Sequence, residues 1–380
     1  MTAHSYIRTP GHLFFAYRES YSEELASLFK DDDLVTSLEA PVYETTAKRM
    51  RERMDVSGLT LADARRRLDA EYRVALNYDE DAESMNSWLD RNRWQITGAD
   101  APEYAKSVED SEVPLWTADN PRLPFRLLLE ELQDDDTIAL DLEDVVASGH
   151  VPADPRLCRN AYEKYATIIE GPMIVLTEGT SDGVAIGGAL DVLAPHLSGL
   201  IRFLDWDLKP EGGASAVVRG VRALAAAGVR NPVLALLDND TAGAEAVAQL
   251  EATPLPTNFR VRRLPRLASA TDYPTIGPTG HASLDINGSA VSVELFFGLD
   301  VLGENDGRPA IQWTGYSQKA KQYQGEILDK ADLQQRFAAK VATARAAGGP
   351  HSGQDWADMQ TLVDAIRTAF VGSRQEFGLT

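Results

Sequence analysis

The chain has 380 residues, which is enough for two or three domains with a substantial core. Its single cysteine, Cys158, excludes a disulfide framework and a cysteine-based zinc site, and predicts a reducing, cytoplasmic location. The sequence shows no secretory signal and no apolar run of the roughly 18 residues that a membrane span needs, so we predict a soluble protein without a membrane partner.

The net charge of −21 is unevenly distributed along the chain. Residues 1–170 carry 19 Lys and Arg against 35 Asp and Glu, whereas residues 171–380 carry 18 against 23. Nucleic acids are bound largely through Lys and Arg, so the net charge at first argues against a nucleic-acid partner. Several acids of the second half are candidate metal ligands, however, and with metal bound that half would be close to neutral. The acidic residues of the first half could form an ordinary solvated surface, bind a basic regulatory partner, or repel non-specific nucleic acid.

The first 165 residues predict a mostly helical domain. Apolar residues recur at helical spacing over 22–30 and 44–54, and again from Leu61, where Thr60 is the expected N-cap. A further apolar segment covers 123–132. We identify no catalytic motif in this region.

Residues 174–247 hold the segment with the strongest chemical signal. Short apolar runs at 174–176, 200–204 and 233–237 alternate with helical patterns, an order that predicts an α/β fold with a parallel sheet and right-handed crossovers. Carboxylates follow each run: Glu178 and Asp182, then Asp205 and Asp207, then Asp238 and Asp240. The carboxyl ends of parallel strands share one edge, so we expect Glu178, Asp182, Asp238 and Asp240 to gather there. Such a cluster needs a cation to offset its negative charge. Carboxylate oxygens are the usual protein ligands of Mg²⁺, and Mn²⁺ can substitute for it.

This pattern, a Glu-Gly turn with a second carboxylate and a later Asp-x-Asp, resembles the Toprim domain. The resemblance implies a Rossmann-like Toprim sheet in which Glu178 faces the metal as general acid or base and Asp238 and Asp240 hold Mg²⁺. Asp182 fits the nuclease-type branch, which includes the overcoming-lysogenization-defect class. Asp205 borders the same sheet edge and is a further candidate ligand. An ordinary doubly wound domain with acidic helix N-caps is the alternative.

Residues 1–165 resemble, more loosely, the N-terminal domain of bacterial HEPN/Toprim-associated proteins. The similarity rests on Phe14-Phe15 with Leu28-Phe29, on 43–46 and on 51–60. A HEPN ribonuclease needs an Arg and a His with four to six residues between them on one helix. Arg8 and His12 are one residue too close and are separated by Pro10 and Gly11, so we predict no second active site of that type.

Three features beyond the sheet extend the candidate site. Glu294 stands in the apolar run 291–297, where an unpaired carboxylate would be costly, and it resembles an additional metal ligand of overcoming-lysogenization-defect nucleases. Lys330 is the candidate for the lysine with which those nucleases neutralise developing phosphate charge. Arg260, Arg262 and Arg263 form a basic strip that either contacts substrate phosphate or is simply a charged edge strand.

These observations predict three segments: a mostly helical HEPN/Toprim-associated domain over 1–165, a Toprim catalytic domain over 168–300, and a helical C-terminal extension over 301–380 that completes the site. The predicted function is Mg²⁺-dependent phosphodiester cleavage of DNA or RNA by an endonuclease. The resemblance further implies an effector of bacterial antiphage defence, with a regulatory protein partner or a homo-oligomer. The alternative is a non-cleaving Toprim-fold sensor that binds metal or nucleotide, or a regulatory subunit of a defence complex.

Overall fold

The computed structural model describes residues 3–9, 12–35, 41–78, 120–166, 171–204, 212–303, 307–318 and 320–371. The chain divides into two compact units, one of Met1–Gly171 with Phe370–Thr380 and one of Pro172–Ala369. The fold is mixed α/β, and the second unit contains a parallel sheet flanked by helices.

The first unit contains a four-stranded sheet in the order β2-β1-β4-β3. Its strands are β1 (His4–Thr9), β2 (His12–Arg18), β3 (Val42–Thr46) and β4 (Thr137–Asp141), and every pair in this sheet is antiparallel. The described helices are α1 (Glu23–Ala26), α2 (Ala47–Val56), α3 (Leu61–Tyr78), α4 (Arg122–Leu128), α5 (Glu143–Ala147) and α6 (Leu157–Ala166). Phe125 packs against both Phe14 and Phe15 in the core of this unit, with ring centroids 5.7 and 5.9 Å apart.

The prediction of a mostly helical N-terminal domain missed this sheet. The helical pattern over 44–54 begins as strand β3, because Val42 and Tyr43 are buried against β4, and it becomes helical only at Ala47. The N-cap prediction at Thr60 is confirmed, since its Oγ1 accepts the Asp63 N–H at 3.3 Å.

The parallel sheet of the second unit has the order β6-β5-β7-β9. It consists of β5 (Met173–Leu176), β6 (Ile201–Phe203), β7 (Val233–Leu237) and β9 (Phe259–Arg263), and each neighbouring pair is parallel. The helices between these strands are α7 (Thr180–Leu193), α8 (Ala214–Ala226) and α9 (Thr241–Glu251). All five residues of β7 are buried, as a central parallel strand requires. The predicted parallel sheet is therefore confirmed.

A second four-stranded sheet follows in the order β11-β10-β13-β14. Its strands are β10 (Tyr273–Gly277), β11 (Gly280–Leu284), β13 (Ile311–Ser317) and β14 (Gln322–Ile327). Two short strands, β8 (Asn239–Asp240) and β12 (Ala290–Val291), pair with each other. Helices α10 (Leu299–Leu302), α11 (Lys330–Ala346) and α12 (Ala357–Arg367) complete the unit. The prediction of a helical extension over 301–380 missed strands β13 and β14.

Across the described residues, every helix is too short or too polar to span a membrane.

Candidate functional site

Glu178 joins the ends of the two central strands. It follows β5, and its side-chain Oε1 accepts the backbone N–H of Asp238, directly after β7, at 2.9 Å. Burial raises the pKa of this half-buried carboxyl, and the neighbouring acids Asp240 and Asp182 raise it further, against the lowering effect of the N–H groups of Asp238 and Ala214. The pKa of Glu178 is about 7, so the group exchanges a proton near neutrality.

The turn before α8 is shaped around Glu178. The Gly213 N–H donates to the Glu178 backbone carbonyl at 2.7 Å, and a Cβ on Gly212 would lie 3.2 Å from that same oxygen. Gly213 has a φ of 88°, a left-handed conformation that favours glycine. The N-terminus of α8 is therefore directed at Glu178, with the Ala214 N–H bonded to its carboxylate.

Asp182 is buried in the first turn of α7. Its Oδ2 accepts the Gly179 N–H at 2.8 Å, which satisfies a backbone donor at the start of that helix. Burial raises the pKa of Asp182, Lys330 lowers it and Glu294 raises it, for a net increase. Asp182 is thus both a helix cap and a member of the charged cluster.

Asp238 and Asp240 lie at the carboxyl end of β7, as predicted. Burial raises the pKa of Asp238 well above its ordinary value, and the carboxylates of Glu178, Asp182 and Asp240 raise it further. Asp240 is buried and caps α9, because its Oδ1 accepts the Gly243 N–H at 2.7 Å. A Cβ on Gly243 would lie only 2.1 Å from the Asp238 carbonyl oxygen, so this close approach requires glycine.

Glu294 and Lys330 come from late segments and reach the same cluster. The Lys330 Nζ lies 3.2 Å from Oε1 of Glu294, whose side chain is 1% exposed. Burial lowers the pKa of Lys330, but Glu294, Asp182 and Asp238 raise it, and the net result lies above its ordinary value. The structure therefore brings both residues to the acidic strand ends, where sequence reasoning placed them.

Three polar side chains that sequence reasoning did not identify orient these acids. The Gln324 amide donates to the Asp240 carboxylate and accepts the Ala242 N–H at 3.2 Å. Ser292 and Gln334 donate to the two oxygens of Glu294 at 2.6 and 2.7 Å. Gln324 lies on a strand 84 residues from Asp240, so no local sequence signal connects them.

The predicted arginine strip lies on edge strand β9, and its three arginines have different partners. Arg260 donates to the carbonyls of Thr257 and Phe259, and Arg262 donates to the Ala369 carbonyl at 3.2 Å. Arg263 is exposed and pairs in register with Leu237, the residue before Asp238. Arg263 is therefore the arginine of the three at the carboxylate end of the sheet. Asp205, the remaining predicted ligand, lies outside the described residues.

The donor set suits a hard divalent cation, because every candidate ligand is a carboxylate oxygen. Burial is the main cause of the raised pKa values of Glu178 and Asp238, and neighbouring carboxylates add to it; a cation would offset both effects. Among the described residues, however, no three His, Cys, Asp or Glu side chains lie close enough to hold one ion. The carboxylates instead accept hydrogen bonds from backbone N–H groups and side-chain amides, and Glu294 forms an ion pair with Lys330.

No family model, curated protein or solved structure matches this chain.

Proposed function

We propose that the chain is a Toprim-type nuclease that cleaves phosphodiester bonds with Mg²⁺. The observation that carries the proposal is the meeting of Glu178, Asp182, Asp238, Asp240 and Glu294 with Lys330 at one sheet edge. Burial and like charges raise the pKa of a carboxyl group to a value useful for proton transfer, and such perturbed groups cluster at functional sites.

In this proposal, Asp182, Asp238, Asp240 and Glu294 would hold the cation. Bound Mg²⁺ would supply Lewis-acid chemistry, polarising the phosphate and acidifying water. The Glu178 carboxylate accepts the proton of the attacking water, since its pKa near 7 leaves it partly ionised at neutral pH. The Lys330 ammonium stabilises the negative charge that develops on the phosphate oxygens, and Arg263 contacts a neighbouring phosphate.

One observation favours a second function, a metal- or nucleotide-binding sensor that does not cut. Lys330 already forms an ion pair with the buried Glu294 and so neutralises part of the cluster. In a sensor, the Lys330–Glu294 ion pair would stabilise the ligand-free site, and a bound metal or nucleotide would displace Lys330 from Glu294. A role in antiphage defence, with a protein partner, belongs to the nuclease proposal and rests on the Toprim resemblance.

The test is cleavage of plasmid DNA, single-stranded DNA, tRNA and ribosomal RNA with Mg²⁺, Mn²⁺ or EDTA. Wild type is compared with Glu178→Gln, Asp238→Asn and a control, Glu251→Gln, whose exposed side chain lies at the far end of the helix that Asp240 caps. A nuclease requires metal-dependent cutting that both site variants lose and the control retains. Tight Mg²⁺ binding without cleavage of any substrate would favour the sensor.

A further inference from the structure

The β13–β14 hairpin carries three aromatic side chains on one face. Tyr316 and Tyr323 are directly opposite each other in the register, and their ring centroids lie 5.0 Å apart in an edge-to-face arrangement. The Trp313 ring is 5.9 Å from Tyr323. Tyr316 and Tyr323 are 46% and 55% exposed, so the rings present a contiguous aromatic surface to solvent.

A β-bulge places the three rings together. The register shifts between Trp313 and Gly315, so that Trp313 opposes Gly325 while Tyr316 opposes Tyr323. Without the extra residue, side chains three apart on a strand would point to opposite faces. Glycine lies beside the indole on both neighbouring strands, since a Cβ on Gly277 or Gly325 would lie 3.2 or 2.9 Å from Trp313. The missing side chains let the indole lie over the sheet.

This aromatic face is coupled to the carboxylate cluster through the same hairpin. The Tyr323 carbonyl accepts the hydroxyl of Thr241, the residue after Asp240, at 2.6 Å. The next side chain along β14, Gln324, donates to Asp240 itself. Successive side chains leave a strand on opposite faces, so the rings project from the face of β14 opposite to the one from which Gln324 reaches Asp240.

The cross-strand pairs that form the face carry no acidic side chain. These pairs are Ile311 with Ile327, Trp313 with Gly325 and Tyr316 with Tyr323. The hairpin turn presents the exposed Lys321. In a chain with a net charge of −21, a carboxylate-free aromatic surface ending in a lysine is suited to an anionic ligand with flat faces.

We propose that Trp313, Tyr316 and Tyr323 form a stacking platform for unpaired bases of the nucleic-acid substrate, on the face of the hairpin opposite to Gln324. This inference rests on the proposed nuclease function and specifies its substrate as single-stranded nucleic acid or unpaired segments. Bases in a duplex are stacked on each other, whereas unpaired bases expose π-faces that aromatic side chains bind without sequence preference.

The test separates binding from cleavage. Fluorescence anisotropy in EDTA measures the affinity of the full chain for labelled single-stranded DNA and RNA of about a dozen nucleotides, a length in the range of known single-strand sites. The matching duplexes are measured in parallel. The variants are Tyr316→Ala, Tyr323→Ala and the corresponding Leu and Phe substitutions. Leu284→Ser is the control, because Leu284 is equally exposed, at 46%, on the opposite edge strand of the same sheet.

Each Ala or Leu substitution is expected to weaken single-strand binding by on the order of tenfold, while Phe and the Leu284 control retain affinity. Unchanged affinity in the Ala variants, full affinity in the Leu variants, or an equal loss for duplexes would overturn the platform. Absence of oligonucleotide binding by wild type would also overturn it. The cleavage panel judges the nuclease separately, so cutting that is insensitive to these substitutions would refute the platform alone.

Discussion

Replacing Glu178 with glutamine is expected to stabilise the metal-free protein at high pH. The pKa of this carboxyl rises from 4.5 to about 7 because the fold buries it and places other acids beside it. Below pH 4.5 the group is protonated in both the folded and the unfolded chain, and the full stability is present. As the pH rises through 7, the folded chain must give up the proton, and this contribution to stability is lost.

The size of the effect follows from the pKa change. Each tenfold change in proton affinity is worth about 1.4 kcal/mol, so ionising Glu178 lowers the free energy of unfolding by at most about 3.5 kcal/mol, of which about 2.5 kcal/mol falls between pH 5 and pH 8. Because the side chain is half-buried and water screens part of the repulsion, we expect about 1 to 2.5 kcal/mol. The Gln side chain removes the charge and retains one oxygen that can accept the Asp238 N–H, while an amide NH2 replaces the other carboxylate oxygen.

The assay is urea unfolding of wild type and Glu178→Gln at pH 5 and pH 8 in EDTA. The difference in unfolding free energy between variant and wild type should be larger at pH 8 by the amount above. Carbon-13 NMR titration of the Glu178 carboxyl measures its pKa directly. A midpoint near 4.5, or the same difference between the two proteins at both pH values, would refute the electrostatic reasoning.

Three other changes test separate parts of the site. Addition of Mg²⁺ at 100 times its dissociation constant should stabilise wild type by about 2.7 kcal/mol at pH 8. The same Mg²⁺ concentration should stabilise it less at pH 5, because protons compete with the cation for the carboxylates. Equal stabilisation of Asp238→Asn by Mg²⁺ in thermal melts would contradict this prediction. Gly243→Ala should lower the free energy of unfolding by more than about 3 kcal/mol, because the new Cβ would lie 2.1 Å from the Asp238 carbonyl oxygen. The control Gly220→Ala, whose Cβ would meet only Leu176 methyl groups at 3.9 Å, should leave the stability unchanged or raise it. Similar unfolding free energies for the two variants would argue against the close approach at Gly243. Gln324→Ala should weaken Mg²⁺ binding measured by calorimetry because Asp240 loses its side-chain donor, and an unchanged affinity would show that the Gly243 N–H alone orients it.

The sequence predicted those parts of the second unit whose signals are local. Continuous apolar runs followed by carboxylates identified the strands that end at Glu178 and Asp238, and the parallel sheet then placed these acids at one edge. Glu294 was noticeable because a charge interrupted an apolar run, where an unpaired carboxylate would be costly; in the structure it is paired with Ser292 and Lys330.

The missed elements depend on contacts between distant segments. Strand β1 pairs with β4 more than 130 residues later, and β4 is also what converts the start of an apparent helix into β3. The β13–β14 hairpin escaped prediction because its bulge breaks the alternation of apolar and polar residues on which strand prediction relies. Gln324 and Gln334 are ordinary polar residues until the fold brings them to the carboxylates.

The order of the site residues along the chain has a consequence for synthesis on the ribosome. Glu178, Asp182, Asp238 and Asp240 all leave the ribosome before Gln324, Lys330 and Gln334. A nascent chain can pair its first parallel strands while the lysine and the orienting amides are still untranslated. Release of the C-terminal segment is therefore the step that completes the charge balance of the cluster, and a product terminated near residue 300 would carry the acids without these partners.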